Sequence, residues 1–156
     1  MKNFSLLILV IVLIYSCNRA DDSQDIIPTD SIIFGEIYGA CVGDCRNLYL
    51  LTAQGVYGDA NSNTIYGDWE NTTFQNQSLA MDQFDLAKPL LQIPDILLSY
   101  EFEIGSQIIS DFDYFINLRI NGTSKTFVFD ELKEDIPLEI KNYINNFIAI
   151  NSQLKK

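Results

Sequence analysis

Apolar residues open the chain in a nearly unbroken block and afterwards recur at intervals of two or of three to four. The block runs from Phe4 to Tyr15, interrupted only by Ser5. A helix rises ~1.5 Å per residue, so crossing a hydrocarbon core takes about 20 apolar residues. The block is too short for that and has the length of a secretory leader's apolar region. β-Branched and aromatic residues then predict strands over residues 32–38, 46–53 and 56–58, with Gln54-Gly55 turning the second into the third. Gly, Asp and Asn crowd residues 58–68, which read as a loop, and a further strand is expected within residues 69–77. From residue 81 to 98 the period becomes helical, with Phe84, Ala87/Lys88 and Leu91 in step and Asp82 placed to cap the start. Pro89 and Pro94 lack the amide donor, so two short, kinked helical pieces are predicted. Tyr114, Ile116, Leu118 and Ile120 alternate with Phe115, Asn117 and Arg119, Asn121-Gly122 signals a type I′ turn, and residues 126–129 return. Over residues 136–154, Ile140, Ile144, Phe147, Ile148 and Leu154 form one helical stripe. Pro137 falls in that helix's first turn, where it is tolerated, and Lys155-Lys156 at the favourable end of its dipole.

This order of elements predicts an α+β fold: an antiparallel sheet of about five to six strands, a kinked central helix and a C-terminal amphipathic helix, with helices on one face. The expected organisation is a leader over residues 1–16, a tether over 17–30 and one α+β domain over 31–156, without internal repeats.

The leader ends in chemistry. Lys2 supplies its positive start and Ser16 the small residue before a cut, and Leu13-Ile14-Tyr15-Ser16-Cys17 resembles the bacterial lipobox, although Tyr15 is bulkier than the residue usual there. That resemblance implies that Cys17, whose thiolate is a good nucleophile, takes a diacylglyceryl group and that its freed amino group is acylated. Each buried methylene contributes ~0.8 kcal/mol, so several chains hold firmly where one holds marginally. An ordinary secreted protein with Cys17 in a disulfide, or an uncleaved anchor helix, are the alternatives. Residues 18–30 are polar and acidic, unable to bury enough apolar surface to fold. Asp21, Asp22 and Asp25 resemble the acidic stretch of surface-exported lipoproteins of the Bacteroidota, and a generic solvated linker has the same composition. Asp30-Ser31-Ile32 resembles that phylum's O-glycosylation motif. The expected location is the cell envelope, at the outer membrane and its surface, held by lipid on Cys17.

Composition narrows the function. The 156 residues carry a formal net charge of −11, which repels phosphate backbones and disfavours nucleic acid as a partner. Histidine is absent, removing the commonest general base and metal ligand. Carboxylate or thiol catalysis stays open, through Glu101/Glu103 or Asp111/Asp113 at strand-like i, i+2 spacing, or through Cys41/Cys45. Such carboxylates are more often a solvated strand face.

Gly39-Ala40-Cys41-Val42-Gly43-Asp44-Cys45 is the most distinctive run, two cysteines four apart in a loop between strands. In an oxidising compartment a structural Cys41–Cys45 disulfide is expected, with free buried thiols as the alternative. Asp59, Asn61, Asn63 and Glu70 occupy positions one, three, five and twelve of a calcium-loop pattern, but Thr64 stands where the sharp turn wants glycine. Asp and Asn are also ordinary turn residues, so no cofactor is expected. Asn71-Thr72-Thr73, Asn76-Gln77-Ser78 and Asn121-Gly122-Thr123 match the N-glycosylation triplet, fortuitously for a bacterial protein. The G-x-C-x-G-x-C loop, Ile93-Pro94, Asn121-Gly122 and the Ile136-Pro137 helix together resemble a family of small uncharacterised lipoproteins of the Bacteroidota, over most of residues 34–154. Some members carry a second cysteine pair where this chain has residues 104–111 without cysteine, so a four-cysteine site is not implied, and the resemblance brings no activity. The expectation is a membrane-anchored, non-enzymatic binding module for a protein or extracellular polymer; the alternative is a carboxylate hydrolase or thiol-redox enzyme.

Overall fold

The computed structural model describes residues 30–39, 45–61, 72–106 and 112–155. They form a mixed α and β fold built on a five-stranded antiparallel sheet. Its strands are β1 (Ser31–Ile37), β2 (Arg46–Thr52), β3 (Gly55–Gly58), β5 (Asp113–Ile120) and β6 (Thr123–Phe129), in the spatial order β3-β2-β1-β5-β6. A second, two-stranded sheet pairs β4 (Gly105–Ser106) with β7 (Glu131–Leu132). The helices are α1 (Met81–Ala87), a 3-10 turn (Lys88–Leu91), α2 (Asp95–Ser99) and α3 (Leu138–Leu154).

β1 lies at the centre and is buried on both faces, which is why it reads Ser-Ile-Ile-Phe-Gly-Glu-Ile without clean alternation. Ile32 and Phe34 point to one face, joined by Tyr49, Leu51, Ile116, Leu118, Phe127 and Phe129. There they meet Ile140, Tyr143, Ile144, Phe147, Ile150 and Leu154 of α3. Ile33, Ile37, Leu48, Leu50 and Phe115 make a separate apolar cluster on the other face.

Asn121 and Gly122 both take positive φ (49° and 77°), as a type I′ turn requires, and close the β5–β6 hairpin with Ile120 opposite Thr123. The helical stretch is cut more finely than expected. Pro89 enters a 3-10 turn rather than extending α1, and α2 starts only after Pro94, giving three pieces instead of two. Ala80, not Asp82, is the N-cap residue of α1, while Asp82 sits in the first turn and accepts the Gln83 amide at 3.0 Å. Of the strand expected within residues 69–77, the described part holds only an isolated bridge between Phe74 and Asp59. α3 begins at Leu138, with Pro137 as its N-cap residue. Among the described residues, no helix is long and apolar enough to cross a membrane.

Candidate functional site

The two outer strands of the sheet are treated differently. β3 pairs with β2 and is overlaid on its other side by the chain that follows: Gln75 N–H donates to the Gly58 carbonyl at 2.9 Å and Leu79 N–H to that of Val56 at 2.8 Å. Among the described residues, β5 is the one strand that pairs with β6. In a two-residue hairpin the closing pair exchanges its hydrogen bonds, so Thr123, Lys125, Phe127 and Phe129 turn their backbone groups toward β5. Ser124, Thr126 and Val128 therefore turn theirs outward. The same edge is occupied from Asp130 onward, where the Asp130 amide donates to the Ser106 carbonyl at 2.9 Å and the Lys133 amide to that of Ile104 at 3.1 Å. Between Ser124 and Val128 no described residue pairs with the outward backbone.

Alongside this stretch runs a groove of about 740 Å³ between residues 100–106 and 125–128. Lys125 is part of its lining. Its ammonium donates to the carbonyls of Leu98, at 3.1 Å, and Tyr100, tying the end of α2 to β6, and lies 5.4 Å from the Phe127 ring centroid. Desolvation lowers the Lys125 pKa, with Glu101 pulling the other way. Gly105 brings β4 so close to its neighbours that a Cβ there would overlap the Glu131 carbonyl oxygen of β7 and press 2.7 Å from the Phe129 Cβ of β6. Phe102 stands at the rim with 74% of its surface exposed, edge-on to Tyr100 at 5.7 Å. It also borders a smaller depression lined by Lys133, Asp135 and Pro137. An exposed aromatic ring between two hollows is where a ligand removes most apolar area from water.

Both Glu101 and Glu103 lie on this groove, on irregular chain rather than the strand their spacing suggested. Both are exposed, and Glu103 accepts from Lys133 at 3.0 Å. Asp111 and Cys41 lie outside the described residues, as do Cys17, Asn63 and Glu70. Cys45 is buried and disulfide-bonded, its partner outside the described residues, and its carbonyl accepts the Tyr38 amide at 2.9 Å. Asp59 and Asn61 adjoin one another, but the Asp59 carboxylate is taken by the buried Arg46 guanidinium, with Nε at 2.5 Å, and by the Asn61 amide at 2.9 Å. Among the described residues no group of three or more His, Cys, Asp or Glu gathers as metal ligands would.

Asp113 is buried at the start of β5 and one of its carboxylate oxygens has no hydrogen-bond partner. Burial raises its pKa, and Asp130 adds to the rise. The folded state thus holds this proton more tightly than the unfolded chain, so between the ordinary carboxylate pKa and the raised one stability falls as pH rises. Asp113→Asn is accordingly expected to raise the melting temperature at pH 7, with the gain shrinking as pH drops toward 3. A gain that is absent, or the same at both pH values, would contradict this.

A second polar cluster, with no signature in the local pattern, lies on the helix-covered face. Glu36 of β1 accepts from Asn151 of α3 at 2.9 Å, from Tyr38 at 3.1 Å and from Lys155. Burial alone lowers the Lys155 pKa, but the hydrogen bond to Glu36 and its charge more than offset that, leaving the amine above its ordinary value. The pair fastens the end of α3 to the sheet. Glu36→Ala would strip three donors of their acceptor and is expected to cost about 2–3 kcal/mol in urea denaturation, with Glu36→Gln costing less. Equal losses for the two variants would show that the carboxylate is not the anchor.

Comparison with protein-family models, with curated proteins and with solved structures finds no match to this chain.

Proposed function

We propose that this chain is an envelope lipoprotein, moored through acylated Cys17 and an acidic tether, whose folded domain binds a partner in the groove beside β6. The observation that carries the binding role is the combination of edge backbone that no described residue pairs with, an open groove and the exposed ring of Phe102 in one place. The lipobox-like run ending in Cys17 supports the mooring, and an oxidising compartment agrees with the disulfide-bonded Cys45. With Cys17 acylated, Cys41 is the remaining cysteine for that bond, so the Cys41–Cys45 disulfide belongs to the same proposal. The resemblance to small lipoproteins of the Bacteroidota supports a proposed location at the outer membrane, facing a protein or extracellular polymer.

Asp30 adds an orientation. Its carboxylate accepts the Asn121 amide at 3.1 Å, so the tether leaves the domain beside the β5–β6 turn. The groove then runs from that end along the flank of the sheet, within reach of a partner at the membrane surface.

Photo-crosslinking on intact cells tests the site. A benzophenone side chain in place of Phe102 is expected to yield a discrete adduct, and the same group in place of Met81, which is 71% exposed, is not. Equal labelling from both positions, or adduct from Met81 alone, would remove the groove from the account.

A further inference from the structure

We infer that the groove takes an extended polypeptide segment of a partner protein, which adds to β6 as a further strand of the five-stranded sheet. The inference rests on the proposal that the groove is the ligand site and names the ligand's chemistry.

Three observations point to a strand rather than to a compact ligand. First, the outward N–H and C=O groups of Ser124, Thr126 and Val128 fall at every second residue, the repeat that an incoming strand offers in return. Second, β4 already lies along this same edge beyond Val128, through the Asp130 to Ser106 bond, so the groove continues a line that chain already occupies. Third, the usual guard against edge pairing is missing from the gap. Lysines often blunt an edge by projecting over it, but the Lys125 amine is held by the carbonyls of Leu98 and Tyr100 and does not bar the approach.

The chemistry of the segment follows from the walls. Alternate side chains of an added strand point to opposite sides. One set meets Tyr100 and Phe102 and is apolar. Glu101 and Glu103 are exposed on the same wall and Glu131 is exposed opposite Ser106, while Lys133 is paired with Glu103 and the chain as a whole carries −11. Basic residues fit there. A segment of about five residues that carries both apolar and basic side chains spans the gap at ~3.4 Å per residue.

The test uses the full chain, isotope-labelled and held in detergent, with the peptide acetyl-Val-Lys-Val-Lys-Val-Lys-Val-amide as probe. Saturation is expected to shift backbone resonances of residues 100–106 and 123–129 and to slow amide exchange at Ser124, Thr126 and Val128. Thr126→Pro removes one outward donor and spares the backbone bonds to β5, and, like Thr126→Ala, it loses the hydrogen bond that the Thr126 hydroxyl accepts from Asn117 of β5; proline is tolerated at that kind of edge position. It is expected to weaken the peptide about tenfold, the worth of one backbone hydrogen bond, while Thr126→Ala changes affinity less than about twofold. Should Thr126→Pro disturb the sheet, amide exchange in the unaltered protein decides alone. Groove shifts with unchanged exchange at the three amides would overturn strand addition and keep the groove, as a ligand held by side chains, such as a glycan on Phe102, would give. Shifts elsewhere, or none, would overturn both.

Discussion

Gly35→Ala is expected to cost at least about 4 kcal/mol, enough to leave a typical 5–15 kcal/mol domain at the edge of unfolding. Gly35 sits in the middle of the central strand with φ at +150°, a conformation that L side chains rarely adopt. A Cβ there would overlap the Asn47 carbonyl oxygen and come within 3.0 Å of Leu48 Cα. The obstacle is backbone, so no side chain can swing away. Relief requires β1 and β2 to part, at a point where Gly35 faces Leu48 on one side and Phe115 on the other. Gly122→Ala is the control. Gly122 also has positive φ, at 77°, but nothing lies within 4 Å of the added methyl group. Only the local conformational strain of about 1–2 kcal/mol then remains. Urea titration of both variants separates the two contributions, and a loss below about 1 kcal/mol for Gly35→Ala would contradict the β1–β2 packing described above.

Phe147→Ala ranks next, at about 3–5 kcal/mol. Its ring is buried beneath α3 and lies 5.8 Å from those of Phe34 and Tyr114 and 6.5 Å from that of Phe129. Those three rings belong to β1, β5 and β6, so one side chain locks the helix onto three strands. In a protein most of the stability of such a 17-residue helix comes from packing of its apolar face. The neighbouring Ile148 is only partly buried, and Ile148→Ala is expected to cost clearly less. A Phe147→Ala loss no larger than that of Ile148→Ala would mean that the helix docks elsewhere.

The elements written into local sequence were the ones that could be read before the structure. Asn121-Gly122 dictates its own turn because it supplies positive φ at two successive residues, and the alternation on both sides then sets the register. The stripe on α3 was legible for the same kind of reason, although its buried face also takes in Tyr143, Ile150 and Asn151. Tyr143 and Asn151 carry polar groups. They are buried because the Leu90 carbonyl accepts from the Tyr143 hydroxyl at 2.9 Å and Glu36 accepts from Asn151. Partners that far apart leave no mark on local periodicity. The same holds for strand order: that β1 is flanked by β2 and β5 is decided by pairing between distant segments.

The site was legible only in fragments. Glu101 and Glu103 stand out in sequence as a carboxylate pair, yet what distinguishes their neighbourhood is the exposed Phe102 between them and the stretch of β6 edge that no described residue pairs with. An edge is a property of the assembled sheet. β4 and β7, two residues each, are too short to give any periodic signal, and they determine where the open stretch of edge ends.

The mooring at Cys17 is the claim on which the location and the disulfide assignment rest, and intact-mass and N-terminal analysis of the protein recovered from membranes tests it most directly. The account predicts a chain that begins at Cys17 with acyl groups on its sulfur and its amino nitrogen, and that has lost residues 1–16. A chain still starting at Met1, or one cut before position 17 but carrying no lipid there, would contradict it.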